Sequence, residues 1–176
     1  LKVSSKYLFF IILSPVGPYY SQGFNPVNIM VSEKYIRAVP GGIGFAKTGG
    51  NYAASILAEK EAKELGYTQV LWLDALERSY IEEVGSMNIF FVIDDNIVTP
   101  MLTGSILPGI TRMSVIELAK HWGLNVEERR ITIDEVLNGL ENGSVTEVFG
   151  AGTAAVISPV GMLAHNGKDF QVGKGE

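Results

Sequence analysis

The sequence predicts an α+β fold built around one main hydrophobic core, and three observations predict it. Short strand-forming runs, one hairpin pattern and three helical segments follow one another without the strict strand–helix–strand rhythm of a doubly wound sheet. The 176 residues are enough for one core of useful size. Apolar residues make up 47% of the chain and charged residues 19%, which excludes a disordered chain.

The elements follow in order. Tyr7–Leu13, behind Lys2 and Lys6, has the make-up of a signal-peptide core. It is too short to span a bilayer and has no clean A-x-A cleavage site, so a buried strand ended by Pro15 and Gly17 fits it better. Pro15–Pro26 turns repeatedly and carries Tyr19, Tyr20 and Phe24, as an interdomain connector or as a plain linker with packed aromatics. Val27–Ser32 and Tyr35–Ala38 read as short strands, followed by a glycine-rich turn, Gly41–Gly44. Tyr52–Leu65 is the clearest helix, with Ala54, Leu57, Ala58 and Leu65 on its apolar face, Asn51 as cap and Gly66 as stop. Gln69–Leu73 is a strand; Met87–Ile93 and Ile97–Thr99 flank Asp94-Asp95-Asn96 as a hairpin. Thr111–Trp122 is a helix and Val126–Ile131 a strand. Thr132-Ile-Asp-Glu135 is a capping box into a helix over Ile133–Leu140, closed by Asn142-Gly143. Short strands at Glu147–Phe149 and Ala154–Ile157 surround Gly150–Thr153.

Composition excludes several functions. With 14 Lys+Arg against 19 Asp+Glu the net charge is −5, which argues against a nucleic-acid surface. Cysteine is absent, so disulfides, thiolate zinc sites, iron–sulfur clusters and cysteine nucleophiles are removed together. Only His121 and His165 are present, and both read as structural or solvent-facing, so no metal site is expected.

Four segments carry groups capable of chemistry. Lys47 stands among glycines and apolar residues, where desolvation would make its amine a nucleophile toward carbonyls; the alternative is an ordinary loop lysine. Gly41-x-x-x-x-Ala46-Lys47-Thr48 is one residue short of a P-loop, and Val70–Asp74 imitates its metal-binding strand. Gly49-Gly50 is expected to keep the helix from starting before Asn51, and Pro40 breaks the feeding strand, so that reading is set aside. Glu83 enters an apolar strand and is a candidate buried carboxylate, with Glu82 as its solvated neighbour; alternatively both face water. Ile110 and Thr111 begin a helix after Pro108-Gly109, either as an anion site or as a simple turn and cap. Thr153, flanked by Gly152 and Ala154, offers a hydroxyl and backbone donors, a weak signal alone.

One nucleophilic lysine, one carboxylate and two anion-binding turns are what a pyridoxal phosphate site requires. The order AKTGGNY (46–52), EVGSMNIF (83–90), IVTPMLTGSILPGITR (97–112) and FGAGTA (149–154), behind the SPVGPYY connector, resembles the branched-chain amino-acid aminotransferases of the class-IV, fold type IV family. The resemblance implies the large cofactor-binding domain of the D-amino-acid-aminotransferase-like fold, with residues 28–176 in that domain. Residues 15–27 are then the connector, and 1–14 the last strand of a smaller N-terminal domain that is mostly missing. The chain is therefore expected to be a fragment. That missing domain carries a phosphate-binding arginine and much of the side-chain pocket in the family, and the chain also stops before the family's final helix.

The resemblance also assigns roles. Lys47 matches the Schiff-base lysine that shuttles the proton, and Tyr52 the tyrosine on the cofactor's phenolic oxygen. Glu83 matches the carboxylate on the pyridine nitrogen, Ile110 and Thr111 the phosphate site, and Thr153 its further hydroxyl donor. The amides of Thr153 and Ala154 match the turn that receives the substrate carboxylate. Arg37 and Ser86 receive no role. Ala155 and Ser158 stand near the redox cysteine pair of mammalian members, so thiol regulation is not implied. The implied activity is transfer of the amino group of leucine, isoleucine or valine to 2-oxoglutarate by a ping-pong mechanism. The alternatives are a D-amino-acid transaminase, an aminodeoxychorismate lyase or, from another class, a non-catalytic binding module. A homodimer is implied by the family. With no targeting segment in view the expected compartment is the cytoplasm, or the mitochondrion if a transit peptide lies in the missing N-terminus.

Overall fold

The computed structural model describes residues 2–15, 17 and 24–173. Its strands are β1 (Val27–Val31), β2 (Gln69–Leu73), β3 (Ile81–Val84), β4 (Met87–Ile93), β5 (Asn96–Pro100), β6 (Val126–Arg129), β7 (Val145–Gly152), β8 (Val156–His165) and β9 (Lys168–Gln171). The helices are α1 (Gly49–Glu64), α2 (Ile110–His121) and α3 (Ile133–Asn142). The sheet runs β3-β2-β1-β8-β7-β4, and β4 returns to pair with β3, so six strands close into a barrel. One edge of β4 pairs with β7. The other is divided between β3, at Met87 and Asn88, and β5, at Phe91–Ile93. β6 extends the sheet beyond β5, and β9 adds to β8. Three pairs are parallel, β1–β2 across α1, β5–β6 across α2 and β1–β8, and the other pairs of this α+β sheet are antiparallel.

Strand alternation divides the core. Val27, Ile29, Val31, Leu71, Leu73, Ile89 and Phe91 join one large cluster. The intervening Val70 and Trp72 pack under Ala58 and Ala62 of α1, while Phe90 packs with Ile116 of α2 and Ala151. With both faces covered, β2 and β4 read as continuous apolar runs and not as alternating ones.

The local signals form as expected where chemistry between near neighbours decides them. Asp94 and Asp95 take φ of 47° and 63° in the tight β4–β5 turn. Thr132 Oγ1 accepts from Glu135 N at 3.1 Å, and Gly143 closes α3 at φ 86°. Only half of the capping box forms, because the Glu135 carboxylate goes to Arg129 Nη2 at 2.6 Å.

Other expectations are corrected. Tyr35–Ala38 is no strand: Ser32 Oγ donates to Tyr35 O and accepts from Tyr35 N, bending the chain as it leaves β1. α1 starts at Gly49, not at Tyr52 with an Asn51 cap; Asn51 lies inside the helix. Its buried face is Asn51, Ser55, Ala58 and Ala62, whereas Ala54, Leu57 and Leu65 are exposed. Small residues face the sheet because Trp72 already fills that space. The helix expected from Thr111 begins one residue earlier, and the strand expected to reach Ile131 ends at Arg129. β7 and β8 are longer than their sequence signals, and β3 and β9 are strands that the sequence does not announce. Tyr7–Leu13 forms no strand; its large side chains are 64–91% exposed and find no ladder partner among the described residues. Tyr19 and Tyr20 of the connector lie outside the described residues, and Phe24 is exposed.

Candidate active site

Lys47 is the second residue before α1, and its Nζ donates to Tyr52 Oη, inside the first turns of that helix, at 2.9 Å. Asn51 holds the approach to it, since its Nδ2 donates to Ile43 O at 2.9 Å and Ala46 O at 2.8 Å. Gly44 seats the same turn against the segment before α2. A Cβ there would lie 2.1 Å from Ser105 O and 2.5 Å from Ala38 Cβ, so only glycine allows the approach.

Glu83 comes from β3 and is buried, at 3% exposure. Its Oε1 accepts from Leu107 N at 2.7 Å, and its Oε2 lies 3.1 Å from Arg37 Nε. That contact is an ion pair without hydrogen-bond alignment, because Arg37 Nε has no bonded acceptor among the described residues. Arg37 Nη2 donates to Ser105 O and to Gly44 O. Burial pushes the Glu83 carboxyl up to about 7, against the downward pull of Arg37 and the Leu107 amide; Glu82 adds to the rise and Lys47 opposes it. Desolvation therefore outweighs the ion pair.

Lys47, Tyr52 and Glu83 line one cavity, together with Arg37, Ser86 and Leu107. Its empty space is about 370 Å³ and opens to solvent. The arrangement places an amine at one wall and a buried carboxyl group at another, with glycine backbone between. Ile110, Thr111, Thr153 and Ala154 do not line this cavity. Ile110 and Thr111 form the first turn of α2, whose N-cap, Gly109, supplies no side-chain cap, as a receptive helix start requires. That start is tied to the cavity by Asn88, the register partner of Glu83, whose Nδ2 donates to Leu107 O at 2.9 Å. Thr153 and Ala154 are exposed in the β7–β8 turn, beyond Ala151, which pairs with the same Asn88.

Two residues in and beside the site depart from the sequence reading, Arg37, which lines the cavity without an assigned role, and Glu82, on the far face of β3. Arg37 has none because an arginine in an isolated run gives no sign of its partner. Glu82, expected to be solvated, is 4% exposed: its Oε1 accepts from Ser105 Oγ, and burial raises its pKa. Alternation sends it to the opposite face of β3 from Glu83, and that face is covered too. The early start of α1 removes one objection to a P-loop, but the mimic of the metal-binding aspartate is committed elsewhere. Asp74 accepts four backbone N–H groups, from Leu76, Glu77, Ser79 and Tyr80.

Residues 2–162 match the family model for amino-transferase class IV. The chain belongs to this family. It is 59% identical over 177 aligned positions to branched-chain-amino-acid transaminase 1 of Bacillus subtilis (strain 168), covering 100% of this chain and 50% of that protein. Among solved structures it is similar to Escherichia coli branched-chain amino acid aminotransferase, with a TM-score of 0.79 at 38% identity, over 92% of this chain and 50% of that one. It is also similar to a T.th. branched-chain amino acid aminotransferase complexed with N-(5'-phosphopyridoxyl)-L-glutamate, with a TM-score of 0.71 at 37% identity, over 85% and 46% of the two chains. The chain thus spans about half the length of the curated relatives it matches. Its fold is that of the fold type IV aminotransferases. Among the described residues no helix is long and apolar enough to cross a membrane, and no group of three or more His, Cys, Asp or Glu is placed to hold a metal ion.

Proposed function

We propose that this chain is the cofactor-binding large domain of a pyridoxal-phosphate-dependent transaminase that moves the amino group of leucine, isoleucine or valine to 2-oxoglutarate. One observation carries the reading: the amine of Lys47 and the buried carboxyl of Glu83 line the same cavity. The donor set fits pyridoxal phosphate, which needs an amine for its aldehyde, an acid–base partner for its ring nitrogen and N–H donors for its phosphate. When bound, the cofactor supplies an electron-withdrawing ring that makes the substrate Cα proton removable.

Lys47 holds and moves that proton, and the Tyr52 hydroxyl, bonded to its amine, orients it. Glu83 shares a proton with the ring nitrogen, a task suited to a carboxyl whose pKa is raised to about 7. The N–H groups of Ile110 and Thr111 take the phosphate, with the Thr153 hydroxyl as a further donor, and the amides of Thr153 and Ala154 take the substrate carboxylate. In this reading residues 28–176 form the large domain and 15–27 the connector, and 1–14, without a ladder partner among the described residues, becomes a strand only when the rest of the protein supplies the smaller domain. The protein works as a homodimer in the cytoplasm, or in the mitochondrion if the whole protein carries a transit peptide.

The test is the visible absorption spectrum of the full-length protein with added pyridoxal phosphate, before and after leucine. The reading predicts a bound-cofactor band that shifts with leucine. A band indifferent to leucine and responsive to D-alanine would move the assignment to the D-amino-acid branch, and no band would overturn the cofactor.

A further inference from the structure

Glu82 is a buried carboxyl group that the proposed chemistry does not use. It is next to Glu83 on β3, faces the other side of the strand, and is buried to the same degree. Its Oε1 accepts from Ser105 Oγ, and Thr103 Oγ1 stands 2.9 Å from that hydroxyl. Its Oε2 is buried with no hydrogen-bond partner among the described residues. A buried carboxylate with an oxygen left unpaired is costly, so the charge of Glu82 depends on what lies around it.

Ser105 joins the two glutamates. Its hydroxyl bonds Glu82, while its carbonyl accepts from Arg37 Nη2, and Arg37 Nε is 3.1 Å from Glu83. One guanidinium charge therefore acts on two buried carboxyl groups, in direct contact with Glu83 and through space on Glu82. Its charge favours ionisation of both, and each ionised glutamate disfavours ionisation of the other. The remaining charged and titratable groups around Glu82 are already committed. Asp74 spends both oxygens on four backbone N–H groups. Arg130 stacks 3.5 Å over the Tyr80 ring and pairs with Glu77 at 3.2 Å. On the Glu83 side the further charge is Lys47.

We propose that Glu82 is a positioning residue for Glu83: through Ser105 and Arg37, its charge state decides how much of the guanidinium charge Glu83 receives. With Glu82 protonated, Arg37 serves Glu83 alone, and Glu83 gives up its proton at lower pH in the cavity that Lys47 lines. With Glu82 ionised, the guanidinium is divided and Glu83 keeps its proton to higher pH. The coupling rests on this geometry; only its consequence for a bound cofactor rests on the proposed function.

The test uses the full-length protein without cofactor, with glutamate Cδ labelled by carbon-13. The Glu83 carboxyl resonance, assigned by its loss in Glu83→Gln, is followed against pH. In the wild type it should titrate in a broadened, two-site curve. In Glu82→Gln it should follow a single-site curve with its midpoint lower by roughly 1 pH unit. Ser105→Ala leaves the backbone carbonyl to Arg37 but removes the donor to Glu82, which then stays protonated longer, so the Glu83 midpoint should fall here as well. If Glu82→Gln fails to fold, Ser105→Ala decides. A Glu83 curve unchanged in shape and midpoint would overturn the coupling. Because no cofactor is present, that failure would leave the transaminase reading untouched, and loss of the transaminase reading would leave the coupling standing.

Discussion

Glu83→Gln in the cofactor-free, full-length protein decides whether burial or the Arg37 ion pair governs the carboxyl. Glutamine keeps the size of Glu83 and stands in for its protonated form. The folded protein raises this carboxyl from the ordinary 4.5 to about 7, because burial outweighs the attraction of Arg37. Below the ordinary value, folded and unfolded chains both hold the proton, and charge adds nothing to stability. Between 4.5 and about 7 the folded state keeps a proton that the unfolded chain has released, so stability falls as pH rises, and above about 7 the full cost is present. At about 1.4 kcal/mol per pH unit, that cost is on the order of 3 kcal/mol. The variant should match the wild type near pH 4 and gain roughly 3 kcal/mol on it by about pH 8. Urea unfolding followed by tryptophan fluorescence reads this directly. Trp72 is the register partner of Glu83, is fully buried, and donates through Nε1 to Gly85 O at 2.9 Å. A variant less stable than the wild type near pH 8 would refute the reasoning, since the buried guanidinium would then need its anion more than burial penalises it.

Further outcomes follow from the same geometry. Lys47→Ala in the full-length protein should abolish transamination while changing stability by less than about 0.5 kcal/mol, because Lys47 is exposed; retained turnover refutes its role. Gly44→Ala drives a methyl to 2.1 Å from Ser105 O, a backbone atom that cannot swing away, and should cost about 2 kcal/mol or more in thermal unfolding. Thr132→Ala removes the acceptor for Glu135 N and should lower stability by about 1 kcal/mol with transamination intact.

What the sequence made legible was local. The Asp94-Asp95 turn and the Thr132 cap depend on residues within four positions, and both formed. The strand expected at Tyr35–Ala38 gives way to Ser32, whose hydroxyl competes for the backbone, a choice that strand propensity does not register. The α1 face departs from its pattern because apolarity does not mark the buried side there: the space under the helix is taken by Trp72 and admits only small residues. Glu82 escapes a local reading for a long-range reason. Two adjacent acids are both buried only when both faces of their strand are covered, and here that follows from β3 closing the ring between β2 and β4. Lys47, Tyr52 and Glu83 were readable as residue types in motif order. Their common cavity, and the part Arg37 plays in it, arise from turns that no period describes.

Two separate devices build the cavity, and Arg37 is where they meet. The pairing of Glu83 with Asn88 across β3 and β4 places one wall, because these two side chains grip the N–H and the C=O of Leu107, just before α2. The carboxyl group and the helix start therefore cannot move independently, and Gly109 has no space to spare, since a Cβ on it would lie 2.3 Å from Asn88 Oδ1. The other wall is the Lys47 approach, fixed by Asn51 and by the contact of Gly44 with Ser105. Nothing in the first device sets the second. Arg37 joins them by donating to Gly44 O and Ser105 O while facing Glu83, so the spacing between amine and carboxyl depends on one guanidinium fork. A lysine at that position would bring a point charge without the fork. It would preserve the attraction to Glu83 and lose the register between the walls.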